Sequence, residues 1–213
     1  VQSSDLAPVM SSDTSGLPLD LWRGLDMAQL EQLLSALDLP PRSPALHQLW
    51  RRMLLSSASP PAGAQSPDHF LALRLEALYR SGLLAEMGEV FDGSGSASPL
   101  AKVLLARKDI GLGAREAGCG AVSKLAAPSS GLPGLLKGEA QLLFGYCAAV
   151  ADDGATAGLA ASMAREEGFK AEVALTVLDN LASGTKGRVT LPDRVSLIDY
   201  RFLELQGAVQ EKH

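Results

Sequence analysis

The sequence predicts an all-α protein, an α-solenoid of consecutive antiparallel helix hairpins with degenerate TPR-like repeats. Three features carry this expectation: helix starts that recur as a capping residue followed by proline, apolar residues at helical spacing, and a palette poor in sheet-forming residues. Apolar residues make up 46% of the 213-residue chain but aromatics only 5%, so Leu, Ala, Val and Met must fill the core. Leu and Ala are strong helix formers, whereas the β-branched and aromatic residues that suit a pleated surface are sparse.

In chain order, residues 1–17 form a polar, Ser-rich lead-in with too few apolar side chains to offset the entropy of ordering it. The helical-repeat domain is expected over 18–207, with 208–213 a tail. Asp26 followed by Gln29 has the spacing of a capping box and leads into Leu30, Leu33, Leu34 and Leu37 on one helical face. After the Pro40-Pro41 break, Leu46, Leu49, Trp50, Met53 and Leu54 mark a second helix, predicted to pair with the first as a hairpin. Ser43-Pro44, Ser66-Pro67 and Ser98-Pro99 each place a cap before a proline, whose missing N–H is tolerated in the first turn.

The clearest repeat-like unit runs from Phe70 to Phe91. Leu71, Leu75 and Leu78 precede a break at Ser81-Gly82, and Leu83, Leu84, Met87 and Val90 continue beyond it. A second hairpin is predicted over Ser98–Leu125 with a break near Asp109–Gly113. A third spans Leu135–Arg165: Leu142, Leu143, Tyr146 and Val150 lead to Asp152-Asp153-Gly154, and Leu159, Ala160 and Met163 return. The fourth pairs Ala171–Leu181, closed by Gly184, with Ser196–Leu205 across the polar stretch Thr185–Asp193. The spacing of the turn glycines is irregular around the ~34-residue TPR period. Gly113, Gly118, Gly120, Gly138, Gly145 and Gly158 inside predicted helices cost about 1 kcal/mol each relative to Ala unless they permit close helix approach. Stacked hairpins supply that reason.

The segment Leu21-Trp22-Arg23-Gly24, the Ser-Pro-Ala-Leu helix start at Ser43–Leu46 and the later helix pairs resemble uncharacterised secreted or periplasmic helical-repeat proteins of alphaproteobacteria. The resemblance covers most of residues 20–207. It implies an exported, periplasmic chain with further helical repeats after His213. A chain that begins at Val1 is also what removal of a signal peptide would leave.

The chemistry-bearing residues are few. Cys119 and Cys147, the two cysteines of the chain, fall on helices predicted to be adjacent, so they can form a disulfide worth about 3 to 4 kcal/mol, which would require an oxidising compartment. The alternative is two unrelated buried thiols. One tension lies in register: with the connecting turn centred near Ser130, Cys147 stands further from it than Cys119 does, and a late helix start near Leu135 reduces the mismatch. His47, His69 and His213 lack metal-ligand spacing. No nucleophile elbow or phosphate-binding loop is present, since the glycine clusters at Gly93–Gly95 and Gly111–Gly113 do not follow strands. Asp153 suits a helix cap, and Glu166-Glu167 a solvated face. Trp22 and Trp50 either anchor a core or mark a binding surface. Arg51 and Arg52 either face solvent or recognise an acidic partner.

A net charge of −5, with 24 acidic and 19 basic residues, disfavours nucleic acid and anionic lipid as partners, and no apolar run reaches the roughly 18 to 20 residues of a membrane-spanning helix. The expected function is a non-enzymatic protein–protein interaction scaffold in the bacterial cell envelope, needing no metal or cofactor, whose partners are other envelope proteins. Trp22, Arg51 and Arg52 are the candidate partner surface. Two alternatives stand beside it: an accessory helical domain of a larger cell-wall-acting enzyme, and a structural subunit of a periplasmic secretion or motility assembly.

Overall fold

The computed structural model describes residues 16–64, 67–94, 99–125 and 134–207, and every regular element among them is an α-helix. Most of the predicted lead-in and all of the tail at 208–213 lie outside the described residues, as do Ser66 and Ser98. The all-α expectation holds. None of these helices is long and apolar enough to cross a membrane. The chain gathers into two compact units, Val1–Ser96 and Ala97–His213.

The first unit contains α1 (Met27–Ala36), α2 (Pro44–Leu55), α3 (Pro67–Arg80) and α4 (Leu84–Ser94). The predicted capping box opens α1: the Gln29 N–H donates to Asp26 Oδ1 at 2.7 Å, and the Asp26 N–H donates to Gln29 Oε1 at 3.0 Å. Pro44 begins α2 as expected, but the Ser43 hydroxyl makes no capping bond. Where the sequence predicts an α1–α2 hairpin, both helices pack on α3 instead. The reason is a set of carbonyls. The last turn of a helix leaves orphan C=O groups that favour a cation, and α3 carries two arginines that meet this need. Arg74 donates to the carbonyls of Leu54 (2.8 and 2.6 Å) and Ser56 (3.1 Å) at the end of α2. Arg80 donates to Leu34 (2.7 Å) and Leu37 (2.8 Å) at the end of α1.

Docked this way, α1 buries Met27, Leu30 and Leu34, and α2 buries Trp50 and Leu54. Leu33, Leu37, Leu46 and Leu49, predicted on the same apolar faces, stay outside, at 53%, 45%, 58% and 43% exposure. The α3–α4 hairpin forms as predicted, with Phe70, Leu71, Leu75, Leu78 and Met87 buried and Gly82 at φ 72° in the turn.

The second unit contains α5 (Pro99–Gly111), α6 (Arg115–Ser123), α7 (Gly134–Val150), α8 (Gly154–Glu166), α9 (Glu172–Ser183) and α10 (Leu197–Leu205). Each turn has a local cause. Gly113 and Gly184 take positive φ after α5 and α9. Asp153 caps α8, accepting from the Thr156 N–H at 3.0 Å, and Ser196 caps α10, accepting from the Asp199 N–H at 3.1 Å.

Small residues set the spacing of these helices. A Cβ on Gly145 would lie 2.8 Å from Leu178 Cδ1 and 3.0 Å from Ala160 Cβ, so α7 approaches α8 and α9 closely. The buried face of α8 is accordingly Ala157, Ala160, Ala161 and Ala164; of the three residues by which the sequence marks this helix Ala160 is buried, whereas Leu159 and Met163 are 62% and 40% exposed. Leucines in the seam would hold the helices apart. Helix α10 packs on α9 and also on α5 and α7, its Phe202 meeting Tyr146 edge-to-face at 5.2 Å. The unit therefore closes on its first helix, a contact that an open stack of repeats does not make.

Candidate partner-binding groove

The predicted site residues divide between the two cores and the surface. Cys119 on α6 and Cys147 on α7 are bonded, with Cα atoms 5.6 Å apart. Helix α7 begins at Gly134, close to the late start that the register favours. Trp22 is a core residue at 6% exposure, edge-to-face on Phe70 at 6.0 Å. Trp50 is buried as well, donating its indole N–H to Ser81 Oγ at 2.7 Å.

Arg51 and Arg52 are exposed. Arg51 Nε is 2.7 Å from Glu86 Oε1, and the guanidinium holds the Glu86 carboxyl below its ordinary range against the opposing effect of burial. His69 is half-buried, with Nε2 2.5 Å from Glu31 Oε1. His213 lies outside the described residues. The Asp153 carboxyl is held below its ordinary range by the Thr156 hydroxyl and N–H that it accepts from, as a cap should be. Among the described residues, no three or more His, Cys, Asp or Glu gather where they could hold a metal ion.

A site that the sequence reading did not single out lies in the second unit, between the α9–α10 connection and α10. Its foundation is Asn180, near the end of α9. The Asn180 amide donates to the Gly187 carbonyl at 3.0 Å and to Gln206 Oε1 at 3.2 Å, and Gln206 Nε2 donates to the same carbonyl at 2.8 Å. Gly187 is required there, because a Cβ would fall 2.4 Å from Asn180 Oδ1. Two side-chain amides, one from α9 and one from the residue that follows α10, thus pin one carbonyl of a long connection. Beyond that pin, residues 186–190 alternate exposed and half-buried, the period of an extended ribbon. Among the described residues, no backbone group from Lys186 to Val195 is bonded to another backbone group.

The ribbon walls an open groove of about 680 Å³. Leu203 is buried in its floor; Leu191, Val195 and Tyr200 form its sides and are 56%, 41% and 39% exposed. Tyr200 is steadied from behind by the Arg201 guanidinium, 5.3 Å from its ring centroid. Lys186 and Arg188 rim the groove; among the described residues no acidic side chain lines it, and neither cation makes an ion pair. The nearby Arg165 differs. It is paired with Asp179, whose hydrogen bonds raise its pKa and whose carboxylate balances its charge.

The sequence reading passed over this groove for a physical reason. Val189, Leu191 and Val195 are single apolar residues in a polar stretch, with no helical period to join them. Only the Asn180–Gly187–Gln206 pin brings them to one side. No family model matches the chain, and no match is found among curated proteins or solved structures.

Proposed function

We propose that this chain is a non-enzymatic protein–protein interaction module of the bacterial cell envelope, built from degenerate TPR-like hairpins that end in a docking groove. The observation that carries the reading is the groove itself. Leu191, Val195 and Tyr200 are large apolar side chains left accessible together, beside a ribbon whose backbone groups have no backbone partners. Accessible apolar surface gathered in one concavity is characteristic of binding sites. The Cys119–Cys147 bond supports the envelope location, since disulfides persist in oxidising compartments.

The test is photo-crosslinking in the periplasm of the native organism, with the reactive residue placed at Leu191 or Tyr200 and, as controls, at Gln48 or Glu166. Discrete protein adducts at the groove positions and none at the controls are expected. Equal labelling at all positions, or none at any, would overturn the reading.

A further inference from the structure

We infer that the groove takes an extended peptide segment of a partner protein, in which acidic residues alternate with apolar ones. This rests on the reading of the groove as a docking site and goes beyond it in naming the chemistry of the occupant.

The charge argument comes first. The chain as a whole is acidic, at −5, yet the groove rim carries Lys186 and Arg188, with no acidic lining residue among the described residues. Two cations on adjacent outward positions of one ribbon, among the described residues unmatched within the fold, are complementary to carboxylates spaced at every second residue of an extended chain. Two cations are too few for the phosphate tracking of nucleic acid, and the acidic remainder of the chain repels a polyanion.

Shape supplies the second argument. Leu191, Val195 and Tyr200 offer apolar contact next to the cationic rim, so the occupant carries apolar side chains between its acids. Conformation supplies the third. Among the described residues the backbone from Arg188 to Leu191 has no backbone partner, on a ribbon fixed at Gly187, and an extended peptide beside it gains main-chain hydrogen bonds in the manner of strand addition. A helical ligand has free backbone groups only at its two ends and cannot pair along the ribbon.

The experiment uses the full 213-residue chain and a fluorescein-labelled peptide of alternating Asp and Leu or Val, read by fluorescence polarisation. Saturable binding is expected that weakens with salt, as rim charges require. The double charge reversal Lys186→Glu with Arg188→Glu should weaken it by about tenfold or more while leaving the circular dichroism spectrum unchanged. A peptide with Lys in place of Asp should then prefer the reversed variant.

The proposal is overturned if the Asp peptide binds no better than the Lys peptide to the unaltered chain. It is also overturned if Ala in place of Leu and Val leaves affinity unchanged, if a helix-stapled peptide of the same composition binds more tightly, or if heparin binds in its place with equal loss on charge reversal. Concentration-dependent dimerisation abolished by the same reversal would assign the groove to a second copy and overturn it too. Groove-specific crosslinks together with failure of the acidic peptide would sink this inference and leave the docking function standing.

Discussion

Gly118 and Gly120 stand two positions apart on α6 and have opposite surroundings. A Cβ on Gly118 would lie 2.5 Å from Ile110 Cγ1 and 3.1 Å from the Ala106 carbonyl, whereas one on Gly120 would meet nothing within 4 Å. Gly118→Ala is therefore expected to lower stability by about 1 to 3 kcal/mol through overpacking. Gly120→Ala should raise it by roughly 0.5 to 1 kcal/mol through helix propensity. Urea denaturation midpoints distinguish the two. Read from sequence, both glycines share one explanation, close helix stacking, which is right for Gly118, Gly145 and Gly158, whereas Gly138 makes room for Phe169 in the α8–α9 connection. It fails for Gly120, because the neighbour that makes a glycine necessary comes from another part of the chain. The Arg51–Glu86 pair supplies a pH prediction at the same scale. The folded Glu86 carboxyl titrates below its unfolded value, so its contribution is full above the unfolded pKa and is lost as pH falls through the folded one. Arg51→Gln should flatten that acid-side loss in a stability–pH titration, and an unaltered slope would contradict the pairing.

At the scale of helices, starts and stops were legible because they are written locally. Asp26 with Gln29, Asp153 before Thr156 and Gly184 after α9 all perform the expected cap. Partner choice was not legible, since Leu30 and Leu33 look alike until a neighbour covers one of them. What directs α1 and α2 onto α3 is Arg74 and Arg80, whose targets lie 20 and 46 residues away for Leu54 and Leu34. Arg80→Ala should lower stability by about 1.5 to 3 kcal/mol, the range for hydrogen bonds from a charged donor. An exposed-control substitution such as Arg23→Ala should change it little. The α6–α7 bridge is the other interhelical tie that sequence could propose, from the cysteine count and adjacent-helix placement. Replacing both Cys119 and Cys147 by Ala should cost about 2 to 4 kcal/mol. Under denaturing, non-reducing conditions neither cysteine should take up an alkylating reagent, and after reduction intact mass should show both labelled.

For the whole molecule, the question is how far the loss of one element spreads. In an open solenoid each repeat leans only on its neighbours, so removing the last helix uncovers one face of the hairpin before it and little else. The unit Ala97–His213 is arranged differently. Helix α10 covers α5, α7 and α9 together, Phe202 is fully buried against Tyr146, and Arg201 donates to the Gly111 carbonyl at 3.0 Å, 90 residues away in sequence. The core of this unit thus depends on its final helix, and the other unit has a core of its own around Trp22, Phe70, Leu75 and Leu78. Two separate cores need not unfold in one transition. Phe202→Ala should therefore destabilise the whole second unit by about 3 to 5 kcal/mol, the cost of emptying a buried aromatic site, and leave the first unit unaffected. Hydrogen exchange read by mass spectrometry on the full chain checks this. Loss of protection in α5, α7, α9 and α10 alike, with α1 to α4 unchanged, is the expected result. Loss confined to α9 and α10 would mean that the second unit behaves as an open stack after all.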